Sequence, residues 1–275
     1  MKDGPIVLII PGSGPTDRDG NSPLGVRAAP YKLLAEGLAG QGIGSVRIDK
    51  RGMFGSLSAV SNANAVTIDD YVHDIGAWVD VIRARTGVRC VWLLGHSEGG
   101  LVALEAASKV EHLCGLILVA TAGRPLGDVL KEQLRANPSN MALLVAADHA
   151  IDELSAGRRV DTMNLPTVLT PLFNPAVQDF LISAFRLDPA VLAAKIAKPV
   201  LIVQGQRDLQ ISVADAGRLK QAAPHATLVT LPDANHALKQ VSSDDRSANL
   251  ATYGAENLPL ALGVVDDIAR FVKSR

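Results

Sequence analysis

The sequence lacks any apolar run long enough to cross a membrane. Its longest uncharged apolar stretches, such as Ile6–Ile10 and Leu116–Ala120, have the length of a strand. They fall well short of the roughly 18 residues that a membrane-spanning helix needs. Net charge is nearly absent as well, because 27 basic residues are balanced by 28 acidic ones. Without a positive field there is no electrostatic basis for binding nucleic acid or an anionic lipid surface, so we expect neither partner.

Cysteine is scarce too. Cys90 and Cys114 are the two cysteines, and each comes just before an apolar, strand-like run. The chain has no C-x-x-C pair, no paired Cys/His spacing and no carboxylate–histidine cluster, so the sequence predicts neither a metal nor another cofactor. We expect two buried free thiols, with a bridge between the starts of neighbouring strands as the alternative.

The composition is that of a globular protein. Hydrophobic residues make up 48% and charged residues 20% of the 275 residues, and a chain of this length can bury a core without disulfides or a metal. At about 150 residues per domain, the length predicts one to two domains. The first residues show no signal peptide, which predicts a cytoplasmic protein. A periplasmic or secreted location stays open in case the natural chain begins earlier.

Short β-branched runs alternate with stretches of helical periodicity, which predicts an α/β fold. Crossover connections of this kind produce a mostly parallel sheet covered by helices on both faces. The predicted strands are Ile6–Ile10, Ser45–Ile48, Val91–Leu94, Leu116–Val119, Val200–Val203 and Thr227–Leu231. The predicted helices between them are Tyr31–Gln41, Ile68–Arg85, Glu98–Lys109, Ala214–Ala223 and Pro259–Lys273.

One interval breaks this alternation. No strand-like run is convincing between Ala120 and Lys198, and four segments there have helical periodicity. Because the strand pattern resumes directly at Pro199, we expect a helical cap of residues 121–197 inserted into a core of residues 1–120 and 198–275. A separate small domain is the alternative. The four segments are Leu126–Ala136, Met141–Leu154, Val177–Phe185 and Pro189–Ala197.

The segment Gly95-His96-Ser97-Glu98-Gly99 stands where an apolar strand ends and a helix begins. Glycines at both ends of this G-x-S-x-G turn allow the strand and the helix to pack closely, which strains the serine and exposes its hydroxyl. The start of the helix also places backbone N–H groups beside that oxygen. The pattern predicts that Ser97 is a nucleophile, and a purely structural glycine turn is the alternative.

A serine nucleophile needs a base, and the base needs an anion that sets its tautomer. His236 follows the last predicted strand and so lies at the same sheet edge as Ser97, whereas the other five histidines are expected to be structural or solvated. Asp208 follows the strand that begins at Val200 and is the predicted anion. Asp233 is nearer to His236 in sequence and is expected to shape its loop instead.

The order Ser97, Asp208, His236, with a helical insertion after the serine, resembles the α/β-hydrolase fold family over essentially the whole chain. This resemblance implies an oxyanion hole formed by the backbone N–H groups of Ser13 and Glu98. The segment Gly-Ser-Gly-Pro-Thr-Asp-Arg-Asp-Gly-Asn at 12–21 resembles a bacterial subgroup of carboxylesterases, although Pro11 stands where a histidine commonly begins this turn. The family also implies two antiparallel strands ahead of Ile6, which this sequence does not supply.

The glycines and charged residues of this segment also allow other interpretations. A phosphate-binding loop is disfavoured because neither G-x-G-x-x-G nor G-x-x-x-x-G-K-[ST] is completed. Asp17, Arg18, Asp19 and Arg51 are candidates for a charge network that holds the oxyanion loop, with a solvated polar turn as the alternative.

Together these features predict a serine carboxylesterase that acts on short to medium acyl esters, with a small-molecule ester or a polyester as its substrate. Nine apolar residues of the 121–197 interval suit an acyl pocket, and we expect them also to form the interval's own small core. A serine peptidase or thioesterase of the same fold is the second hypothesis, and a ligand-binding protein that retains the triad is the third. The nine residues are Met141, Leu143, Leu144, Met163, Leu169, Leu172, Phe173, Phe180 and Phe185.

Overall fold

A computed structural model describes residues 4–275. Six strands form one sheet in the order β2-β1-β3-β4-β5-β6, and every neighbouring pair runs parallel. The predicted α/β class with a mostly parallel sheet is therefore confirmed, and two of the six strands have the predicted bounds. The strands are β1 (Ile6–Ile10), β2 (Gly44–Arg47), β3 (Val91–His96), β4 (Leu113–Val119), β5 (Val200–Gly205) and β6 (Thr227–Leu231).

Ten α-helices are found in the described part of the chain, and none of them is long and apolar enough to cross a membrane. The last helix begins five residues later than its periodicity predicts, because Gly263 adopts a left-handed conformation (φ 89°) immediately before it. The helices are α1 (Pro30–Gly40), α2 (Ile68–Thr86), α3 (Glu98–Ala106), α4 (Leu126–Arg135), α5 (Leu144–Ser155), α6 (Gln178–Phe185), α7 (Pro189–Ala193), α8 (Val213–Ala222), α9 (Arg246–Ala251) and α10 (Val264–Lys273).

Helices cover both faces of the sheet, which is why its strands are continuous apolar runs. On one face Val7 and Ile9 pack in a core shared with α1 and α10, where Trp92 meets the ring of Phe271 edge-on. On the other face Leu8 and Ile10 belong to a larger core shared with α2, α3 and α8. The carboxyl ends of the strands are left free to carry loops.

The interval between β4 and β5 contains four helices, α4–α7, and no strand in this fully described stretch. Its buried residues Ile151, Phe173 and Phe185 belong to the same apolar cluster as α2 and α3. The backbone N–H of Ile68, at the start of α2, donates a hydrogen bond of 3.0 Å to Ser183 Oγ. The interval thus packs directly on the helices of the sheet.

Cys90 and Cys114 form a disulfide, so the expectation of two free thiols was wrong and the alternative holds. The two cysteines stand beside the first paired residues of neighbouring parallel strands, where Val91 is in register with Leu113. This pairing brings their Cα atoms to 5.1 Å, within the range that a disulfide spans.

The bridge should stabilise the fold substantially. It closes a loop with a sequence separation of 24 residues. Restricting the unfolded chain in this way raises the free energy of unfolding by about 3 kcal/mol. We expect the double variant Cys90→Ser, Cys114→Ser to lose about that much free energy of unfolding in urea denaturation. Reductant should shift the wild-type curve similarly and leave the double variant unchanged. Superimposable curves for wild type and double variant would contradict this prediction.

Candidate active site

Ser97 occupies a sharp turn between β3 and α3. Its backbone has φ 55° and ψ −121°, a conformation that non-glycine residues rarely adopt and that must be imposed by surrounding structure. A Cβ at Gly95 would lie 2.2 Å from the carbonyl oxygen of Gly99, and one at Gly99 would lie 2.3 Å from that of Ile10. Only glycine allows this close approach, so the G-x-S-x-G spacing has the structural cause that the sequence predicts.

Asp208 and His236 are brought together across the loops that follow β5 and β6. Asp208 Oδ2 lies 2.8 Å from His236 Nδ1, and the aspartate side chain is 1% exposed. Its Oδ1 accepts hydrogen bonds from the backbone N–H groups of Gln210 (2.7 Å) and Ile211 (2.9 Å). Burial acts to raise the pKa of Asp208, but His236 and these N–H donors outweigh it and hold that pKa below its usual value. The carboxylate is therefore ionised and oriented toward the imidazole.

The loop that carries His236 is fixed by a buried amide cluster. Asn235 Nδ2 donates to Asn249 Oδ1 (3.0 Å) and to Thr252 Oγ1 (2.7 Å), and Asn235 Oδ1 accepts from the N–H of Lys239. Asn249 Nδ2 in turn donates to the carbonyl of Arg207, the residue before Asp208. The short helix α9, which has no apolar periodicity and was not predicted, thus ties the loops of His236 and Asp208 together.

Ser97 and His236 line one cavity of about 250 Å³ at the carboxyl edge of the sheet. Ser97 is half-buried and His236 is buried. Over residues 4–275, the Ser97 hydroxyl has no hydrogen bond to the imidazole. Catalytic hydrogen bonds are often long without substrate and tighten in the Michaelis complex, so this arrangement is compatible with a serine–histidine pair.

The cavity is formed mainly by the loop between β1 and α1, and none of its lining residues is an aspartate, glutamate, lysine or arginine. None of the nine apolar residues from the 121–197 interval lines it either; Leu169, Phe173 and Phe185 are instead buried in the core, and Met141 and Met163 are exposed. The lining residues are Gly12, Ser13, Thr16, Gly20, Ser22, Leu24, Val26, Pro30, Tyr31, His96, Ser97, Gln210, His236, Ala237 and Tyr253.

The backbone N–H groups of Ser13 and Glu98 have no acceptor among the described residues. The N–H of Gly12, by contrast, donates to the hydroxyl of Tyr31 at 3.0 Å. Glu98 is the first residue of α3, where N–H groups are unpaired and the helix dipole favours negative charge. These two N–H groups therefore have no protein acceptor that would compete with a bound anion.

Residues at the end of β2 and just after it hold the loop that supplies Ser13. Arg18 makes bonds to Asp49 through its side chain and its backbone N–H (2.7 Å), and Arg47 pairs with Asp19. Arg51 instead pairs with Asp70 and Asp74 of α2. The expected charge network therefore exists, but not all of the four expected residues belong to it. Arg18 and Asp19 anchor the loop, and Asp17 caps its turn. Arg51 does not contact the loop.

His96 connects three parts of the site. Its Nε2 lies 2.9 Å from the carbonyl oxygen of His236, and its Nδ1 lies 2.9 Å from the Tyr31 hydroxyl. Burial, together with the neighbouring His236, lowers the pKa of His96 to about 3, so its ring is neutral. A neutral ring that donates through Nε2 accepts through Nδ1, and Tyr31 therefore donates to it while accepting from Gly12.

Sequence reasoning assigned Ser97, Asp208, His236, Ser13 and Glu98, but it did not identify five further residues of the site. Tyr31 and Lys50 reach it from a helix and from a strand end that carry no motif for such a role. Gln210 and Tyr253 line the cavity from segments outside the predicted strands and helices, and Asn235 supports the His236 loop.

Comparison with known proteins shows which hydrolases this chain is similar to. Residues 24–167, just over half of the chain, match the family model described as "Serine aminopeptidase, S33". Over 271 residues the chain is 26% identical to "Esterase EstD" of Thermotoga maritima, covering 98% of this chain and 62% of that protein. A pimeloyl-[acyl-carrier protein] methyl ester esterase of Xanthomonas oryzae is 29% identical over 164 residues, which cover 54% of this chain and 63% of that one. The chain thus spans less than two thirds of either relative.

Solved structures show the same fold. Est1E from Butyrivibrio proteoclasticus superposes with a TM-score of 0.59 at 19% identity, covering 100% of this chain and 90% of its own. A lipase-esterase related protein from Clostridium acetobutylicum gives a TM-score of 0.59 at 14% identity, with 98% and 96% coverage. At these identities the likeness establishes the α/β-hydrolase architecture alone.

Proposed function

The chain belongs to the family described as "Serine aminopeptidase, S33", and from that premise and the site geometry we propose that it is a serine carboxylesterase acting on uncharged esters of short to medium acyl chains. Ser97 is the nucleophile, His236 the general base and Asp208 its orienting anion. One observation carries the proposal: a strained, half-buried serine and an aspartate-bonded histidine line the same uncharged cavity.

The mechanism begins with proton transfer from Ser97 Oγ to His236 Nε2 as the oxygen attacks the ester carbonyl. The carbonyl π electrons move to the oxygen, and the N–H groups of Ser13 and Glu98 bind the resulting oxyanion. When the intermediate collapses, the C–O bond to the alcohol breaks and the imidazolium of His236 protonates the leaving alkoxide. Water then repeats these steps on the acyl-enzyme and releases the acid.

Asp208 acts through His236. With its carboxylate on Nδ1–H, the imidazole presents an unprotonated Nε2 to Ser97, and the imidazolium that forms is stabilised by the negative charge. The lowered pKa of Asp208, which reflects bonds from His236, Ile211 and Gln210 acting against burial, supports its remaining ionised throughout.

The absence of charge in the cavity distinguishes esters from the substrates of an aminopeptidase. An aminopeptidase must hold an α-ammonium group, and burying that cation without a carboxylate is costly. None of the lining residues supplies one. The observation favours an ester whose acyl and alcohol parts are neutral, and the family's name alone favours a peptidase.

The size of the cavity supports a short acyl chain. About 250 Å³ lies just below the roughly 300–1,000 Å³ of pockets for drug-sized ligands. We also propose that residues 121–197 are a cap inserted into the core formed by the rest of the chain. Its Met141 and Met163 are exposed and do not line the cavity.

The proposal can be tested with active-site labelling and a substrate panel. A fluorophosphonate should label Ser97, as located by peptide mass mapping, and p-nitrophenyl acetate and butyrate should be hydrolysed faster than the octanoate. Alanine p-nitroanilide, an aminopeptidase substrate, should not be cleaved. Labelling without turnover would favour a ligand-binding protein, and cleavage of the anilide without ester hydrolysis would favour a peptidase.

Ser13→Ala should leave the esterase nearly unchanged. The useful group at this position is the backbone N–H, and the Ser13 side chain is exposed. We expect kcat/KM for p-nitrophenyl butyrate to stay within about 2-fold of wild type, the effect of a typical surface substitution. A loss of tenfold or more would mean that the hydroxyl itself takes part.

A further inference from the structure

Lys50 and Glu98 form a buried ion pair behind the proposed oxyanion hole. Lys50 Nζ lies 3.6 Å from Glu98 Oε1, and the two side chains are 6% and 5% exposed. The same ammonium donates a hydrogen bond of 2.7 Å to the carbonyl oxygen of Gly12. One cation thus contacts both the loop after β1 and the first residue of α3.

These contacts involve the residues whose backbone N–H groups, those of Ser13 and Glu98, bind the oxyanion in the proposed mechanism. The carbonyl of Gly12 and the N–H of Ser13 belong to one peptide group, and no peptide bond in residues 4–275 is cis. In a trans peptide the C=O and N–H point in opposite directions. A cation bound to the Gly12 oxygen therefore directs the Ser13 N–H away from Lys50 and polarises it as a donor. The second donor is the N–H of Glu98 itself.

We propose that Lys50 and Glu98 are positioning residues that hold the Ser13 and Glu98 N–H groups in the geometry of an oxyanion hole. The inference rests on the proposed esterase function. It assigns a role in that reaction to two further side chains, which act on the transition state through the backbone. Neither side chain lines the cavity, so neither touches the substrate.

A role confined to stability accounts poorly for this pair. Burying two charges costs several kcal/mol per ion, and apolar side chains of similar volume often serve stability as well or better. Glu98 Oε1 has no hydrogen-bond partner in the described structure. Burial lowers the pKa of Lys50 and raises that of Glu98, and their mutual attraction only partly offsets it. What the ion pair does, beyond any effect on stability, is to hold the carbonyl group of Gly12 in one orientation.

The decisive variant is Lys50→Met, which keeps the length of the side chain and removes its charge. Because misaligned donors lose contact mainly with the oxyanion, we expect kcat for p-nitrophenyl butyrate to fall by about 10- to 100-fold while KM changes by less than about 3-fold. A trifluoromethyl ketone, which adds Ser97 Oγ to its carbonyl and leaves an oxyanion in the hole, should bind more weakly by a similar factor.

Glu98→Gln provides a second, milder variant that keeps the backbone N–H and should lower kcat about 3- to 10-fold. Lys50→Met combined with Glu98→Gln should be no slower than Lys50→Met alone, because the two residues act as one unit. Arg124→Met is the matched control: it breaks the partly buried pair with Asp215 away from the cavity and should keep the wild-type kcat.

The outcomes separate this inference from the function on which it rests. One outcome would overturn the positioning role and leave the esterase proposal intact. In that outcome the wild type turns over the ester, and the variants at positions 50 and 98 keep kcat and ketone affinity within 2-fold of the wild-type values. A loss expressed in KM rather than kcat, or one shared by Arg124→Met, would also overturn it. A wild-type protein without ester turnover or ketone binding would overturn both.

Discussion

Ser97→Ala should abolish ester hydrolysis, lowering kcat by roughly 10⁵- to 10⁶-fold. Without Oγ no acyl-enzyme can form, and only the cavity and the oxyanion donors are left to assist attack by water. The fold should be kept, because alanine differs from serine only by the loss of Oγ and the shape of the turn is set by Gly95 and Gly99. The measurement is kcat for p-nitrophenyl butyrate, with the urea unfolding midpoint recorded for the same preparation.

Ser13→Ala is the matched control, since it removes a hydroxyl from the same cavity and should leave turnover nearly intact. Fluorophosphonate should label wild type and Ser13→Ala but not Ser97→Ala. Ester turnover within tenfold of wild type in a folded Ser97→Ala protein would refute the assignment of the nucleophile.

Asp208→Asn should lower kcat by about 10⁴-fold with little change in structure. An asparagine can donate its amide N–H to His236 Nδ1, which moves the ring proton to Nε2 and leaves the imidazole unable to accept the serine proton. The backbone N–H groups of Gln210 and Ile211 can still donate to the amide oxygen, so the loop after β5 should keep its shape. The rate of fluorophosphonate labelling should fall in parallel with kcat, and a loss below tenfold would contradict the role of Asp208.

The same variant tests the pKa of Asp208. A carboxyl group with a lowered pKa in the folded state stabilises the protein above its ordinary pKa, and this contribution is lost as the pH falls through the folded value. The free energy of unfolding of wild type should therefore decrease from about pH 5 downward. Asp208→Asn should show a smaller decrease over that window. Parallel stability curves for the two proteins would argue against a lowered pKa.

The sequence was sufficient for the sheet and for the relative placement of Asp208 and His236. The strands are continuous apolar runs bounded by turns, and parallel strands bring their carboxyl ends to one edge. Asp208 and His236, each just past a strand, could therefore be expected at the same sheet edge, and the 2.8 Å contact joins them to each other.

Contacts between distant segments could not be predicted in this way. Tyr31 meets His96 and Gly12 from α1, and Lys50 reaches Gly12 from the end of β2. These positions depend on strand order, which periodicity does not specify. The disulfide was only the alternative expectation for a similar reason, because only the register of β3 against β4 brings Cys90 to Cys114. Leu169 and Phe173 pack into the core, as expected for residues of the interval's own core, and composition alone does not tell that from a pocket lining.

The neutral ring of His96 holds the backbone of His236, the proposed base, but takes no part in the proposed proton transfer. Its bond to the His236 carbonyl uses a donor whose protonation is constant at every pH well above 3, whereas the proposed mechanism protonates and deprotonates the His236 ring, 4.8 Å away. The loop that carries His236 therefore has an anchor that stays unchanged while the proposed base gains and loses its proton.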